Sequence, residues 1–136
     1  MIPYVLAVIA CCLAGALGGY SLARPREALM RAGLTQAEGS TAGLAAARGF
    51  GGLLLTSHAG TAALLGYSPY IGASLALALS LLWAGAAVGR AVSTALDGPG
   101  DGQSVQALIF EALMGVTLSL PFWASHSLLP GRAVYI

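Results

Sequence analysis

The chain has 136 residues, of which 57% are hydrophobic and only 8% are charged. Because roughly a quarter of a soluble domain is charged, this balance excludes an ordinary soluble fold and favours an integral membrane protein. The net charge of +1 provides no basic surface for nucleic acid, so nucleic-acid binding is set aside. The lipid bilayer is the first partner that this composition predicts.

The first apolar segment predicts a transmembrane helix over about residues 2 to 23. No Lys or Arg precedes it, and it is longer than the apolar core of a typical signal peptide, so we expect it to be retained. Adjacent Cys11 and Cys12 point about 100° apart on a helix and are predicted to be apolar packing residues. A short interfacial helix is expected from Pro25 to Gly33.

Three further spans are predicted, over about residues 43 to 66, 70 to 95 and 104 to 126. A cluster of Gly, Ser and Pro around Ser68 indicates a tight turn between the second and third spans. A Gly-rich loop precedes the fourth span, with Ser104 as its expected N-cap. The predicted fold class is therefore all-α, a single-domain integral membrane bundle of four transmembrane helices.

Arginine placement predicts the orientation, because the cytoplasmic ends of spans are enriched in Lys and Arg. Arg24, Arg26 and Arg31 lie in the first connection, whereas Arg132 is alone on the opposite side. We therefore expect a multi-pass protein of a bacterial inner membrane with both termini in the periplasm.

Small residues at four-residue spacing are typical of close helix packing in membranes. Two glycine pairs and one face of the fourth helix have this spacing, and packing within one bundle is favoured over a dimer interface for all of them. They are Gly15 with Gly19, Gly85 with Gly89, and Glu111 with Gly115 and Ser119.

Three ionisable residues, Arg48, Arg90 and Glu111, fall inside the predicted spans, where charges are costly unless they are paired or face a cavity. Each lies roughly 7 to 11 Å from the cytoplasmic end of its helix, which predicts one charge cluster with Asp97 nearby. A structural clamp is the favoured interpretation. An anion or lipid-head-group site is the second, and a proton relay through Glu111 is the third.

His58 and His126 also lie in predicted spans, where a histidine can ligate haem, chlorophyll or a metal. The favoured interpretation of His58 is a hydrogen bond to Ser57, Thr61 or a neighbouring helix, and His126 is expected at the membrane interface. No nucleophile elbow, zinc spacing, calcium loop or dinucleotide fingerprint is present. No cofactor and no catalytic residue is therefore predicted.

Three short motifs, R-x-x-G-G from Arg48, G-R-x-x-S from Gly89 and D-G from Asp97, precede Glu111 in the chain. In this order they resemble a family of small four-span bacterial membrane proteins of unknown function. The resemblance covers about residues 45 to 115. It implies a four-helix inner-membrane protein in which Arg48, Arg90, Asp97 and Glu111 form one unit, and it implies no reaction.

The leading functional hypothesis is a non-catalytic accessory or assembly subunit that packs against a larger membrane complex. Respiratory and photosynthetic complexes are candidate partners of this kind, and self-association is another option. The alternative is a protein that binds or transports a small molecule, an anion or a lipid head group through the Arg48, Arg90 and Glu111 cluster. An intramembrane enzyme is disfavoured.

Overall fold

The computed structural model describes residues 1–34, 41–98 and 102–127, and the regular structure in these ranges is helical. The prediction of an all-α fold is confirmed. Five helices follow one another along the chain: α1 (Ile2–Ala23), α2 (Pro25–Arg31), α3 (Ala42–Tyr67), α4 (Pro69–Asp97) and α5 (Gly102–Ser127).

The helix bounds lie within two residues of the predicted spans. The short interfacial helix is present as α2, and Gly33 follows it with a positive φ of 72°, a conformation that favours glycine. One cap prediction was wrong: α5 begins at Gly102, so Ser104 lies inside its first turn. Arg132, from which the orientation was predicted in part, lies outside the described residues.

Three of the described helices are long and apolar enough to cross a membrane: α1, α4 and the Ser104–Ser125 part of α5. The structure therefore supports a membrane protein with three such helices rather than the four that were predicted. α3 has sufficient length, at 26 residues, but it is less apolar. Its six glycines, together with Arg48, Thr56, Ser57 and His58, account for the difference.

The four long helices pack in two antiparallel pairs, α1 with α3 and α4 with α5. The pairs meet through α1 against α5 and through α3 against α4. Buried side chains concentrate in the half of the molecule that contains the N-terminus and the α3–α4 turn. This core includes Ala7, Ala10, Cys11, Ala14, Leu65, Leu79, Met114 and Leu118. Cys11 is buried as predicted for a packing residue, whereas Cys12 is exposed.

The closest approach of α1 and α3 is at Gly18 and Gly51. A Cβ atom at Gly18 would lie 2.6 Å from the Gly51 carbonyl oxygen, and one at Gly51 would lie 2.6 Å from the Gly18 carbonyl oxygen. The two backbones therefore touch at a point where only glycine fits. The sequence predicted close packing at Gly15 and Gly19, whereas the contact is made by Gly18, the residue before Gly19. A Cβ at Gly19 would meet no described atom within 4 Å.

The other predicted small-residue positions divide between packed and open. A Cβ at Gly115 would approach Ser80 and Ala84 of α4, at 3.4 and 3.5 Å from backbone atoms, so this face of α5 packs as expected. Gly85 and Gly89 lie on α4, and a Cβ atom at either would have no described neighbour within 4 Å. These two glycines therefore do not mediate packing among the described residues of this chain.

We predict that Gly18→Ala and Gly51→Ala each destabilise the protein by about 1 to 3 kcal/mol, because the added methyl group collides with backbone that cannot rotate away. Thermal unfolding in detergent measures the effect. Gly19→Ala is the matched control on the same helix, and it should leave the unfolding temperature unchanged or slightly raised. Equal losses for Gly18→Ala and Gly19→Ala would contradict the close contact.

Candidate functional site

The charged pair at the centre of the candidate site joins α4 to α5. Arg90 donates from Nε to Glu111 Oε2 at 3.0 Å and from Nη2 to Glu111 Oε1 at 2.7 Å. The Glu111 side chain is 9% exposed, and that of Arg90 is 40% exposed. This bidentate geometry fixes the guanidinium plane and satisfies both carboxylate oxygens.

Arg48 and Asp97 lie apart from this pair, although Arg48 was predicted to share its depth and Asp97 was predicted to lie near it. Arg48 is exposed and forms no ion pair or hydrogen bond within the described ranges; it lines a separate cavity beside α2. Asp97 is exposed at the end of α4 and accepts a hydrogen bond from Ser93 Oγ at 2.7 Å on the same helix. Of the four predicted cluster residues, the structure therefore brings together only Arg90 and Glu111.

His58 of α3 is 2% exposed and is held by hydrogen bonds at both ring nitrogens. The indole Nε1 of Trp83 donates to His58 Nε2 at 3.0 Å. Because the indole is only a donor, Nε2 must be the unprotonated nitrogen, and Nδ1 donates to the Leu54 carbonyl oxygen at 2.8 Å. Ser57 Oγ lies 3.2 Å from Nδ1, as the sequence suggested, whereas Thr61 bonds instead to the Ser57 carbonyl oxygen.

This arrangement bears directly on metal or haem ligation by His58. Ligation needs a free lone pair on a ring nitrogen, and that of Nε2 is occupied by Trp83. Among the residues that the structure describes, no group of three or more His, Cys, Asp or Glu is placed to hold a metal ion. The contacts of His58 are those of a structural link between α3 and α4.

Arg90, Glu111, His58 and Trp83 all line one cavity of about 510 Å³ between the helices, which we call the interhelical cavity. Leu17 and Ser21 of α1 also contribute, as do several apolar residues of α3 and α4. Its volume is in the range of about 300 to 1,000 Å³ that small-molecule sites occupy. It adjoins the buried core, because Leu79 belongs to both and Trp83 and Phe110 pack against that core.

The walls of the interhelical cavity are mainly apolar and aromatic. Trp83 packs edge to face between His58, with ring centroids 6.0 Å apart, and Phe110, with centroids 5.6 Å apart. Phe50 and leucines of α3 and α4 extend the apolar lining. Edge-to-face contacts are a preferred geometry of aromatic rings, so these contacts favour the observed orientation of Trp83 on the cavity wall.

The polar groups at the cavity include N–H groups of Arg90 that Glu111 does not use. Arg90 uses Nε and Nη2 for Glu111, and its Nη1 has no hydrogen-bond partner among the described residues. No buried side-chain N or O atom in the described ranges lacks a partner. The cavity can therefore bind an apolar molecule and offer hydrogen-bond donation from Arg90 to an oxygen atom of that molecule.

A second cavity, of about 360 Å³, lies where α1, α2 and α3 meet; we call it the arginine cavity. Arg24, Arg26, Arg48 and Glu27 line it. Glu27 accepts a hydrogen bond from the Tyr20 hydroxyl at 2.7 Å and pairs with Arg24 at 3.5 Å. These contacts, the Tyr20 hydrogen bond first, hold the pKa of the Glu27 carboxyl below its usual value, so Glu27 is ionised at neutral pH.

Trp83, Phe110 and the group of arginines around Arg48 were not predicted as site residues from the sequence. The Trp83–His58 hydrogen bond could have been predicted, because an indole N–H within a span requires an acceptor and His58 lies in the neighbouring span. Comparisons of this chain with protein families, curated proteins and solved structures find no match. The resemblance to a four-span family therefore stays a prediction.

We predict that Glu111→Gln lowers the free energy of unfolding by about 1 to 3 kcal/mol, because Arg90 loses its counter-charge but its side chain is 40% exposed, which screens part of the loss. The unfolding temperature in detergent reports this loss. Asp97→Asn makes the same chemical change at an exposed carboxylate and should alter stability by less than about 0.5 kcal/mol. If Glu111→Gln were as stable as the wild type, the pair would not be a clamp between α4 and α5.

Proposed function

We propose that this protein is a non-catalytic, four-span membrane protein that binds a small uncharged lipophilic molecule in the interhelical cavity. The observation that carries the proposal is the cavity itself. Its walls are apolar and aromatic, and Arg90, which Glu111 holds through Nε and Nη2, lines it with Nη1 available to donate. Sites for small molecules typically combine a mostly apolar surface with a few polar groups that orient the ligand.

The proposed fourth span is α3. It lies antiparallel to α1 with backbone contact at Gly18 and Gly51, and one residue, Ser68, separates it from α4. Since both neighbours are apolar enough to cross a membrane, α3 occupies the same depth when they do. Its polar groups Ser57, His58 and Thr61 bond within the protein, which reduces their cost in hydrocarbon.

The proposed location is a bacterial inner membrane with both termini in the periplasm. Arg24, Arg26 and Arg31 support this orientation, because they lie together at or beyond the end of α1, in and beside α2. Arg48 lines the arginine cavity at the same end of the molecule. A cytoplasmic location for this end follows from the enrichment of arginine on that side.

The charges at the interhelical cavity favour an uncharged ligand. Arg90 and Glu111 neutralise each other, so an ionised ligand would bring an unbalanced charge into an apolar space. A neutral molecule with a carbonyl or hydroxyl oxygen can accept a hydrogen bond from Arg90 Nη1 without that cost. The proposed ligand class is therefore a long-chain alcohol, ester or ketone rather than a fatty carboxylate.

Trp83 provides the test, because it lines the cavity and Trp123 is the other tryptophan in the chain. In a Trp123→Phe background in lipid nanodiscs, a brominated long-chain alcohol should quench Trp83 fluorescence at lower concentration than a brominated fatty acid held above its pKa. Ala86→Phe places a large side chain at a residue that lines the cavity, so it should exclude the probe and raise the half-quenching concentration by about tenfold.

Ala91→Phe is the control for this experiment, since Ala91 is an exposed residue of α4 that does not line the cavity. It should quench as the parent does. Equal quenching in Ala86→Phe and Ala91→Phe would show that the probe acts from bulk lipid, and the binding proposal would fail. Stronger quenching by the ionised fatty acid would overturn the choice of an uncharged ligand.

An accessory subunit of a larger membrane complex is the second candidate function. Gly85 and Gly89, one helical turn apart on α4, are favourable for it, because a Cβ at either would meet no described atom within 4 Å. Glycines at this spacing allow a helix of another subunit to approach the backbone closely. Exposed Leu81, Val88 and Val92 lie nearby on the same helix.

Native mass spectrometry of the protein extracted from its own membrane in mild detergent tests this candidate. We expect a stoichiometric protein partner that is lost in the Gly85→Leu, Gly89→Leu double variant, because the leucines block close approach. Gly19→Leu, at an open position on α1, is the control and should retain the partner. A wild-type monomer without a partner would contradict the accessory-subunit function.

A further inference from the structure

The arginine cavity carries positive charge that no contact within the described chain uses. Three guanidinium groups, from Arg24, Arg26 and Arg48, and one carboxylate, from Glu27, line it. Glu27 pairs with Arg24 at 3.5 Å. Arg26 and Arg48 form no ion pair or hydrogen bond with any residue in the described ranges, and both side chains are exposed. Among the described residues, the cavity therefore has three arginines and one carboxylate, and two of the arginines have no charged partner.

The position of the arginine cavity relative to the membrane follows from α1. Ala23, the last residue of α1, lies on the cavity wall, and α1 is apolar and long enough to cross a membrane. The end of such a span lies near the level of the lipid head groups. Tyr20 supports this level, because an aromatic ring with a polar tip is typical of the interface. Its hydroxyl donates a hydrogen bond to Glu27. The guanidinium carbon of Arg31 lies 5.0 Å from the centroid of the Tyr20 ring.

We infer that the arginine cavity binds the phosphate group of an anionic lipid. Guanidinium groups match phosphate oxygens in bidentate geometry. Two arginines that have no partner among the described residues complement a head group that carries a phosphate and no cationic group. Leu44 and Ala23 give the cavity an apolar part that suits the glycerol and upper acyl region of a lipid rather than a free ion in water. Basic groups at the surface of a membrane are attracted to anionic lipids in general, and this cavity adds shape to that attraction.

This inference is independent of the proposed lipophile site, because Arg26 and Arg48 do not line the interhelical cavity. The two sites differ in ligand charge as well as in place. The interhelical cavity contains a neutralised ion pair and suits an uncharged molecule, whereas the arginine cavity has a net positive lining and suits an anion. Failure of either proposal leaves the other unaffected.

The experiment uses the full chain in nanodiscs of phosphatidylcholine with a minor fraction of phosphatidylglycerol. After gentle release of the protein into detergent, native mass spectrometry should show retained phosphatidylglycerol. Arg26→Gln and Arg48→Gln should each reduce retention by about tenfold, because each removes charge-assisted hydrogen bonds to the phosphate. Phosphatidylcholine should not be enriched.

Arg31→Gln is the matched control, since it removes the same charge from the same helix, α2, but at a residue that does not line the cavity. It should retain phosphatidylglycerol as the wild type does. Loss equal to that of Arg26→Gln would show a diffuse attraction to the basic surface and overturn the site. An unchanged unfolding temperature in pure phosphatidylcholine shows that the variants are folded.

A competition arm separates a lipid from a free anion. Inorganic phosphate added at millimolar concentration should not displace phosphatidylglycerol, because it lacks the apolar part that contacts Leu44 and Ala23. Displacement by inorganic phosphate would overturn the lipid assignment. Retention of phosphatidylglycerol in the Arg26→Gln, Arg48→Gln double variant would overturn the assignment of these residues.

Discussion

Contact between two backbones, at Gly18 of α1 and Gly51 of α3, determines where the rest of the molecule has space. Because neither residue has a side chain, the two helices lie directly against each other in the half that contains the ion pair. The interhelical cavity adjoins this contact, because Leu17 and Ser21 of α1 and Leu54 of α3 line it together with residues of α4 and α5. The point where α1 and α3 pack most closely and the open volume between the helices are therefore neighbours in the same half of the molecule.

Polar contacts in this chain specify which helices are neighbours. Arg90 with Glu111 links α4 to α5, Trp83 with His58 links α4 to α3, and Tyr20 with Glu27 links α1 to α2. In lipid, apolar side chains gain little by choosing one helix over another, since lipid tails are equally apolar. Directional hydrogen bonds between polar groups supply the selection that hydrophobic burial supplies in water.

Helix bounds could be predicted from the sequence because charges, prolines and glycines mark where each apolar run begins and ends. The helices that carry Arg48, Arg90 and Glu111 could also be predicted. Rotation about each helix axis could not, and it decides that Arg48 faces α2 while Arg90 faces α5. The Gly18–Gly51 contact was missed for the same reason, because a four-residue spacing within one helix does not identify the partner residue on another.

The single residue between α3 and α4 has a consequence for biogenesis. Ser68 is followed by Pro69 at the start of α4, and Gly72 packs against Leu65, so the two helices form a tight hairpin. On the proposed topology, α3 need not partition into the bilayer by its own hydropathy, because its more apolar neighbour α4 is joined to it without slack. The two helices would leave the insertion machinery as one unit, and the polar side of α3 would be covered before it met lipid.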